Sequence, residues 1–314
     1  MTLNHHQRYL IEEFAEDYIK RRMSRRDLLR RTLIITGSIP LTATVLTTLG
    51  CGDSSDPEPT AVPQPTTPPL ATTAAGIGPG VAPTDPAIEA SDITIPGPAS
   101  QLFGYLARPR ASGTYPGIVI IHENQGLLDH FKDVARRYAK EGFVGLAVDL
   151  ASRDGGSKPD SSQNTGYLRR TTAELTADLL AYTAYLKSQS FVKPNALGVT
   201  GFCFGGGYTF ELATASSDIK AAVPYYGTAM GVLDKLSQTS VAFLVMYGET
   251  DTRLTSQSTS VEEKLRASGK THDMKIYPGA GHAFFNDTGR AYHEPSAKAA
   301  WTETLAWFRR YLTG

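Results

Sequence analysis

The chain has 314 residues, 41% hydrophobic and 20% charged, an ordinary globular composition with enough apolar residues for a sizeable core. Lys+Arg and Asp+Glu balance at 31 each, so no overall field recommends a nucleic-acid or strongly acidic partner. Charge is uneven only locally, where seven cations stand between Lys20 and Arg31 against the single acid Asp27.

The basic run is followed by "TLIITGSIPLTATVLTTLG", residues 32–50, which carry no charge. A basic segment, an apolar segment and then a small residue before Cys51 form the layout of an export signal over residues 1–51. Pro40 and the many threonines make this stretch a poor permanent membrane span. "SRRDLLR", residues 24–30, resembles the twin-arginine motif, with Arg25 and Arg26 as the pair. That resemblance implies passage of the folded chain through a bacterial twin-arginine export machinery. "TLGC", residues 48–51, resembles a lipoprotein processing site with the lipid on Cys51, although Thr48 stands where Leu is usual. The plainer alternative is a cysteine at the end of a signal. Residues 52–90 are rich in Pro, Thr, Ala and Gly and read as a disordered tether. The expected location is the periplasm or the outer face of the cytoplasmic membrane. Membrane contact is then confined to the signal or a lipid anchor. Exported folding favours paired cysteines, yet with Cys51 consumed by processing, Cys203 has no partner and stays a thiol.

Residues 91–314 read as one catalytic domain. "DITIP" and "LFGYLARP" alternate apolar with polar residues and predict an antiparallel pair at the leading edge of a sheet. After them, the short apolar runs "PGIVIIHE", "GFVGLAVDL", "NALGVTGFC", "KAAVPYYG", "VAFLVMYGE" and "HDMKIYP" alternate with segments of helical spacing. Such alternation predicts an α/β fold with a mostly parallel central sheet and helices on both faces. In open sheets of this kind function gathers beyond the carboxyl ends of the strands.

One of those ends carries Gly201-Phe202-Cys203-Phe204-Gly205, a G-x-C-x-G sequence. It has the form of a nucleophile elbow, a sharp strand-to-helix turn that exposes its central residue. The helix behind Cys203 is expected to lower the thiol pKa, and a histidine partner to lower it further. Alone, the motif fits equally an inert buried thiol beside a glycine-rich turn. Downstream, "VAFLVMYGETD" ends in Asp251, and "YPGAGHAFF" presents His282 on a glycine-rich loop. Nucleophile, acid, histidine is the chain order of the α/β-hydrolases. His282 then takes the Cys203 proton, while Asp251 fixes its tautomer.

The segments "HENQGL", "GFCFGG", "YGETD" and "GAGHAFF" resemble the dienelactone hydrolase family of α/β-hydrolases over essentially all of residues 92–314. The intervals agree too, with 48 residues from Cys203 to Asp251 and 31 from Asp251 to His282. With the export signal, the chain looks most like an exported branch of that family. The resemblance implies Cys203 as nucleophile, Asp251 as acid and His282 as base. It implies that Glu123 holds the resting thiol and swings away when substrate enters, a protection against oxidation. The backbone N–H groups of Phe204 and Asn124 fall where the oxyanion hole forms. Arg153 matches one of two arginines that grip a substrate carboxylate, whereas Asn286 stands at the position of the second. Tyr225 and Tyr226 match pocket tyrosines, and His122 is read as supporting structure.

The expectation is a cofactor-free hydrolase of small esters or lactones, working through a Cys-His-Asp triad and a thioester. A general carboxylesterase, thioesterase or acyl transferase on the same triad is the nearest alternative. A non-catalytic exported binding lipoprotein is a second. A metal site of Cys203, His282 and Glu123 is a weak third, since no CxxC or HExxH spacing supports it.

Overall fold

The computed structural model of the protein describes residues 3–19, 23–51 and 80–313. Three helices come first: α1 (His5–Ile19), α2 (Arg25–Thr36) and α3 (Ile39–Thr48). Strands β1 (Ile88–Pro96), β2 (Gln101–Pro109) and β3 (Tyr115–Ile121) follow, then helix α4 (Asp129–Lys140) and β4 (Val144–Val148). Helix α5 (Thr172–Ser188), β5 (Val192–Phe202), α6 (Phe204–Ala215) and β6 (Ile219–Tyr225) form the middle of the chain. The last part comprises β7 (Ala242–Gly248), α7 (Thr252–Thr255), α8 (Ser258–Ala267), β8 (His272–Tyr277) and α9 (Glu294–Leu312).

The strands form one eight-stranded sheet in the order β1-β2-β4-β3-β5-β6-β7-β8. β1 pairs antiparallel with β2, and β2 antiparallel with β4, while every later pairing is parallel. This is the α/β-hydrolase fold that the alternation of runs predicts. The central strands are apolar on both sides because both sides are covered: Ile118, Val119, Ile120 and Ile121 of β3 are all fully buried. Close approach explains several sheet glycines. A Cβ on Gly198 would meet Phe308 of α9, and one on Gly117 would meet Leu186 of α5. These contacts put α4 and α9 on one face, joined through the Tyr138 and Trp301 rings, and α5 and α6 on the other.

Two features depart from the boundaries read in the sequence. The ordered domain begins before residue 91. The Val81 N–H donates to Asp133 Oδ1 at 2.7 Å, and Ile88 is fully buried. Of the expected tether, residues 52–79 lie outside the described residues, as do Lys20 to Arg22 of the basic run.

The second departure is the start of the chain. Helix α1 buries Tyr9, Leu10, Ile11, Phe14 and Ala15, an i, i+1, i+2, i+5, i+6 stripe of an amphipathic helix. That stripe rests on the carboxyl-end rim of the sheet, beside α6 and the loop of His282. Helix α2, capped by Ser24 and ended by left-handed Gly37, packs against α1. Among the described residues no helix is long and apolar enough to cross a membrane.

Candidate active site

Strand β5 runs into α6 through Cys203, which adopts φ 53° and ψ −114°. A positive φ strains a residue with a Cβ, at about 1–3 kcal/mol, and the neighbouring glycines make the turn feasible. A Cβ on Gly201 would lie 2.2 Å from the Gly205 carbonyl oxygen, and one on Gly205 would lie 2.3 Å from that of Ile121. Among the described residues, the other non-glycine positive φ values belong to Tyr226 (37°) and Ala283 (58°). Both border the same site, Ala283 next to His282 and Tyr226 with its ring 5.1 Å from the imidazole.

His282 Nδ1 lies 2.5 Å from Asp251 Oδ2. Asp251 caps α7 at the end of β7 and is almost fully buried. Burial raises its pKa, but His282 and Arg253 outweigh that and hold it below the ordinary carboxylate value. The loop after His282 is pinned to α4, since Asp287 takes His130 Nδ1 at 2.9 Å and Arg137 Nη2 at 2.8 Å. Against the cost of burial, these two partners lower the Asp287 pKa to about 2.

The carboxylate on the thiol is one that sequence reasoning did not find. Cys203 Sγ donates toward Glu13 of α1, 3.4 Å from Oε2 and 3.7 Å from Oε1. Glu13 Oε2 is also 3.7 Å from His282 Nε2, and Asn124 Nδ2 donates to Glu13 Oε1 at 3.4 Å. The expectation of a lowered thiol pKa is corrected here. Burial, then the charges of Glu13 and Glu123, push the Cys203 thiol well up, against the opposing Phe204 backbone N–H. Burial alone would lower the His282 pKa, but Glu13 and Asp251 raise it to about 9. Thiol and imidazole thus both carry a proton at neutral pH. The missed signal was the apolar stripe of residues 9–15, absorbed into a presumed leader.

Glu123 therefore does not hold the resting thiol in this state. Tyr226 Oη donates to its Oε1 at 3.2 Å and Asn286 Nδ2 to its Oε2 at 3.0 Å. His122 beside it is fully buried, and burial lowers its pKa. Its Nε2 accepts the Leu150 N–H at 3.1 Å, so Nδ1 carries the proton and donates to the Glu123 carbonyl at 2.6 Å. This neutral imidazole ties the end of β3 to the end of β4.

Comparison with known proteins now bears on this geometry. Residues 102–312 match the sequence model of the Dienelactone hydrolase family. The chain belongs to that family. A Salmonella typhimurium protein with the provisional name carboxymethylenebutenolidase is 33% identical over 242 residues, 72% of this chain and 89% of that protein. A Synechocystis protein of the same provisional name is 33% identical over 245 residues, 72% of this chain and 98% of its own. The crystal structure of a provisionally assigned dienelactone hydrolase from Klebsiella pneumoniae superposes with a TM-score of 0.65 at 30% identity, over 72% of this chain and 100% of that one. Membership makes the chain a carboxylic ester hydrolase. Helices α1 to α3 lie outside the residues that the family match covers.

Against this family background, the residues expected to bind substrate lie as follows. Arg153 sits in the loop after β4 and is committed to Asp178, with Nε and Nη2 each donating at 2.8 Å to its two oxygens. It does not line the cavity over Cys203. Tyr225 also points away, with its hydroxyl 2.6 Å from Thr304 Oγ1 and its ring packed on Phe202 and Phe285. Tyr226 acts through Glu123. The Phe204 N–H faces the thiol, and Asn124 contributes its side chain to Glu13.

The cavity over Cys203 measures about 730 Å³, walled on one side by Cys203, His282 and Arg253 and on the other by Glu13, Glu16 and Asp27 of the N-terminal helices. Among the described residues, Glu13, Cys203 and His282 form the one cluster with metal-ligating geometry, each giving an atom within 4.8 Å of the others. A carboxylate, thiol and imidazole set suits a soft divalent ion such as Zn2+. It contains Glu13 in place of Glu123.

Proposed function

We propose that the protein hydrolyses small esters or lactones through Cys203, His282 and Asp251. The observation that carries this reading is a strained, glycine-flanked cysteine at a strand-to-helix turn within reach of an imidazole already bonded to a buried aspartate. With the site open, His282 Nε2 accepts the thiol proton and Cys203 Sγ attacks the carbonyl carbon. The negative oxygen rests on the backbone N–H groups of Phe204 and Asn124. The C–O bond to the alcohol then breaks, the leaving oxygen takes the proton from His282, and a thioester remains. Water, deprotonated by His282, attacks the thioester carbon. The C–S bond breaks, acid is released, and the thiolate regains its proton. Asp251 keeps the imidazole in its tautomer and supports its charge throughout.

The test is hydrolysis of 4-nitrophenyl acetate and a panel of lactones by the wild type beside Cys203→Ala, with mass spectrometry of the stalled enzyme. The expected result is loss of turnover with an unchanged circular dichroism spectrum, and an acyl group on Cys203 in the wild type. Undiminished hydrolysis by Cys203→Ala would falsify the reading.

Residues 1–51 are proposed as an export leader, supported by the Arg25-Arg26 pair and the uncharged stretch after it. Lipid attachment at Cys51 belongs to the same proposal. Replacing both arginines by lysine is expected to leave the protein in the cytoplasm, read by cell fractionation. Labelled fatty acid in the mature chain reads the anchor.

A further inference from the structure

Helix α1 puts a carboxylate in the space a reacting carbonyl needs. Glu13 Oε2 lies 3.4 Å from Cys203 Sγ and 3.7 Å from His282 Nε2, so while α1 is seated a carboxylate occupies the contact between nucleophile and base at the floor of the cavity.

The seat is shaped for this helix. His6 stacks on Tyr208 with ring centroids 4.4 Å apart, and its Nε2 is 3.1 Å from buried Glu211 Oε1. Gly207 leaves the hole that the ring fills, since a Cβ there would lie 2.8 Å from His6 Cε1 and Nδ1. The Gln7 side chain donates to the Leu168 carbonyl at 3.2 Å, on the opposite wall of the seat. A buried contact with a carboxylate and a ring stack from His6, and a backbone bond from Gln7, fix both position and rotation.

Arg253 shows what the helix imitates. Its Nε donates to Glu16 Oε2 at 2.6 Å, its Nη1 to the Tyr9 carbonyl at 3.5 Å, and its guanidinium lies 4.8 Å over the Tyr9 ring. All three partners are on α1. The remaining ion-pair contact, 3.9 Å to Asp251 Oδ1, is with the acid that already serves His282. Departure of α1 therefore leaves the guanidinium beside the triad uncovered and without the Glu16 carboxylate. A planar guanidinium matches a carboxylate fork better than any other side chain.

We propose that α1 is an internal inhibitor seated as an anionic substrate would be, and that Arg253 grips the substrate carboxylate once α1 has left. The proposal rests on the hydrolase reading above, and gives Arg253 the grip on a substrate carboxylate that Arg153, bound to Asp178, and Asn286 do not supply. Processing ahead of Cys51, as proposed for the leader, detaches α1 from the catalytic domain.

The experiment uses the full chain with two opening variants. Gly207→Ala places a methyl group against His6, and Phe14→Glu puts a charge on the buried face of α1. Two readouts are taken: iodoacetamide alkylation of Cys203, mapped by mass spectrometry so that Cys51 is counted separately, and hydrolysis of 4-nitrophenyl acetate and mono-4-nitrophenyl succinate. Both opened variants are expected to alkylate and hydrolyse at least about tenfold faster than the wild type. Adding Arg253→Gln to either is expected to lower the succinate-to-acetate ratio of kcat/KM about tenfold through KM, the loss of one charge-assisted contact. Unchanged alkylation in Gly207→Ala, folded by circular dichroism, overturns the inhibitor. An unchanged ratio overturns the role of Arg253. Faster alkylation with no hydrolysis of any ester or lactone overturns the hydrolase reading instead, and the anion role with it.

Discussion

His282 is the residue on which the closed state turns. Burial opposes its charge, yet Glu13 and Asp251 together hold its pKa at about 9. A general base works only when neutral, so raising its pKa moves the ascending limb of the pH–rate profile upward. The full chain is expected to gain kcat/KM up to about pH 9. Glu13→Gln is expected to bring that limb down by about one unit, measured with a neutral ester. The same shift has a stability consequence of the opposite sense. A histidine whose folded pKa exceeds its ordinary 6.5 contributes stability below that value, and the contribution is lost as pH rises through about 9. Docking of α1 is thus expected to weaken in alkali, read by faster alkylation of Cys203 beyond its own ionisation. Asp251→Asn, which lets the imidazole take the wrong tautomer, is expected to lower kcat in the opened enzyme by about 10²–10⁴-fold. Cys203, Asp251 and His282 were legible because each follows a strand and carries its own turn chemistry. Glu13 was not, because it comes from 190 positions away in sequence and no local pattern announces such a contact.

At the level of elements, the elbow and the histidine loop are held by different means. The elbow depends on backbone touching backbone, which only glycine allows. Gly205→Ala would press a methyl group to within 2.3 Å of the Ile121 carbonyl oxygen. It is expected to cost about 3 kcal/mol or more, read as a lowered melting temperature with loss of activity. The loop of His282 depends on the Asp287 carboxylate between His130 and Arg137. Asp287→Asn is expected to cost about 1–3 kcal/mol and to lower kcat more than it changes KM. The depressed pKa of Asp287 sets the sign of its pH dependence. Its contribution is present above the ordinary carboxylate range and disappears as pH falls through about 2. Strands and flanking helices were readable because two covered faces demand unbroken apolar runs. The leading boundary was not, because Val81 and Ile88 are isolated apolar residues in a Pro- and Thr-rich stretch, and their burial is decided by α4 and β2.

Across the whole molecule, residues 52–79 join the described segment that ends at Cys51 to the one that begins at Gly80. Covalent connection makes the seating of α1 an intramolecular event, at a concentration that does not depend on dilution. A cut within these residues makes the same contact bimolecular. With a protease site placed there, the cleaved enzyme is expected to gain specific activity on dilution, whereas the uncut chain shows none of this dependence. Initial rates over a hundredfold range of enzyme concentration measure it. The hydrolase was legible at this scale, because its pattern repeats along the domain. What was not legible is that helix α1 packs on the catalytic surface, since the basic-then-apolar stretch that follows it says nothing of where the start of the chain rests. The hole at Gly207 takes that further. Leaders are commonly interchangeable parts, chosen for their destination alone. Here the first helix and the sixth are cut to one another, so on the readings proposed above another leader grafted onto residues 80–314 is expected to leave Cys203 uncovered before any export, read by iodoacetamide alkylation in the cytoplasmic fraction.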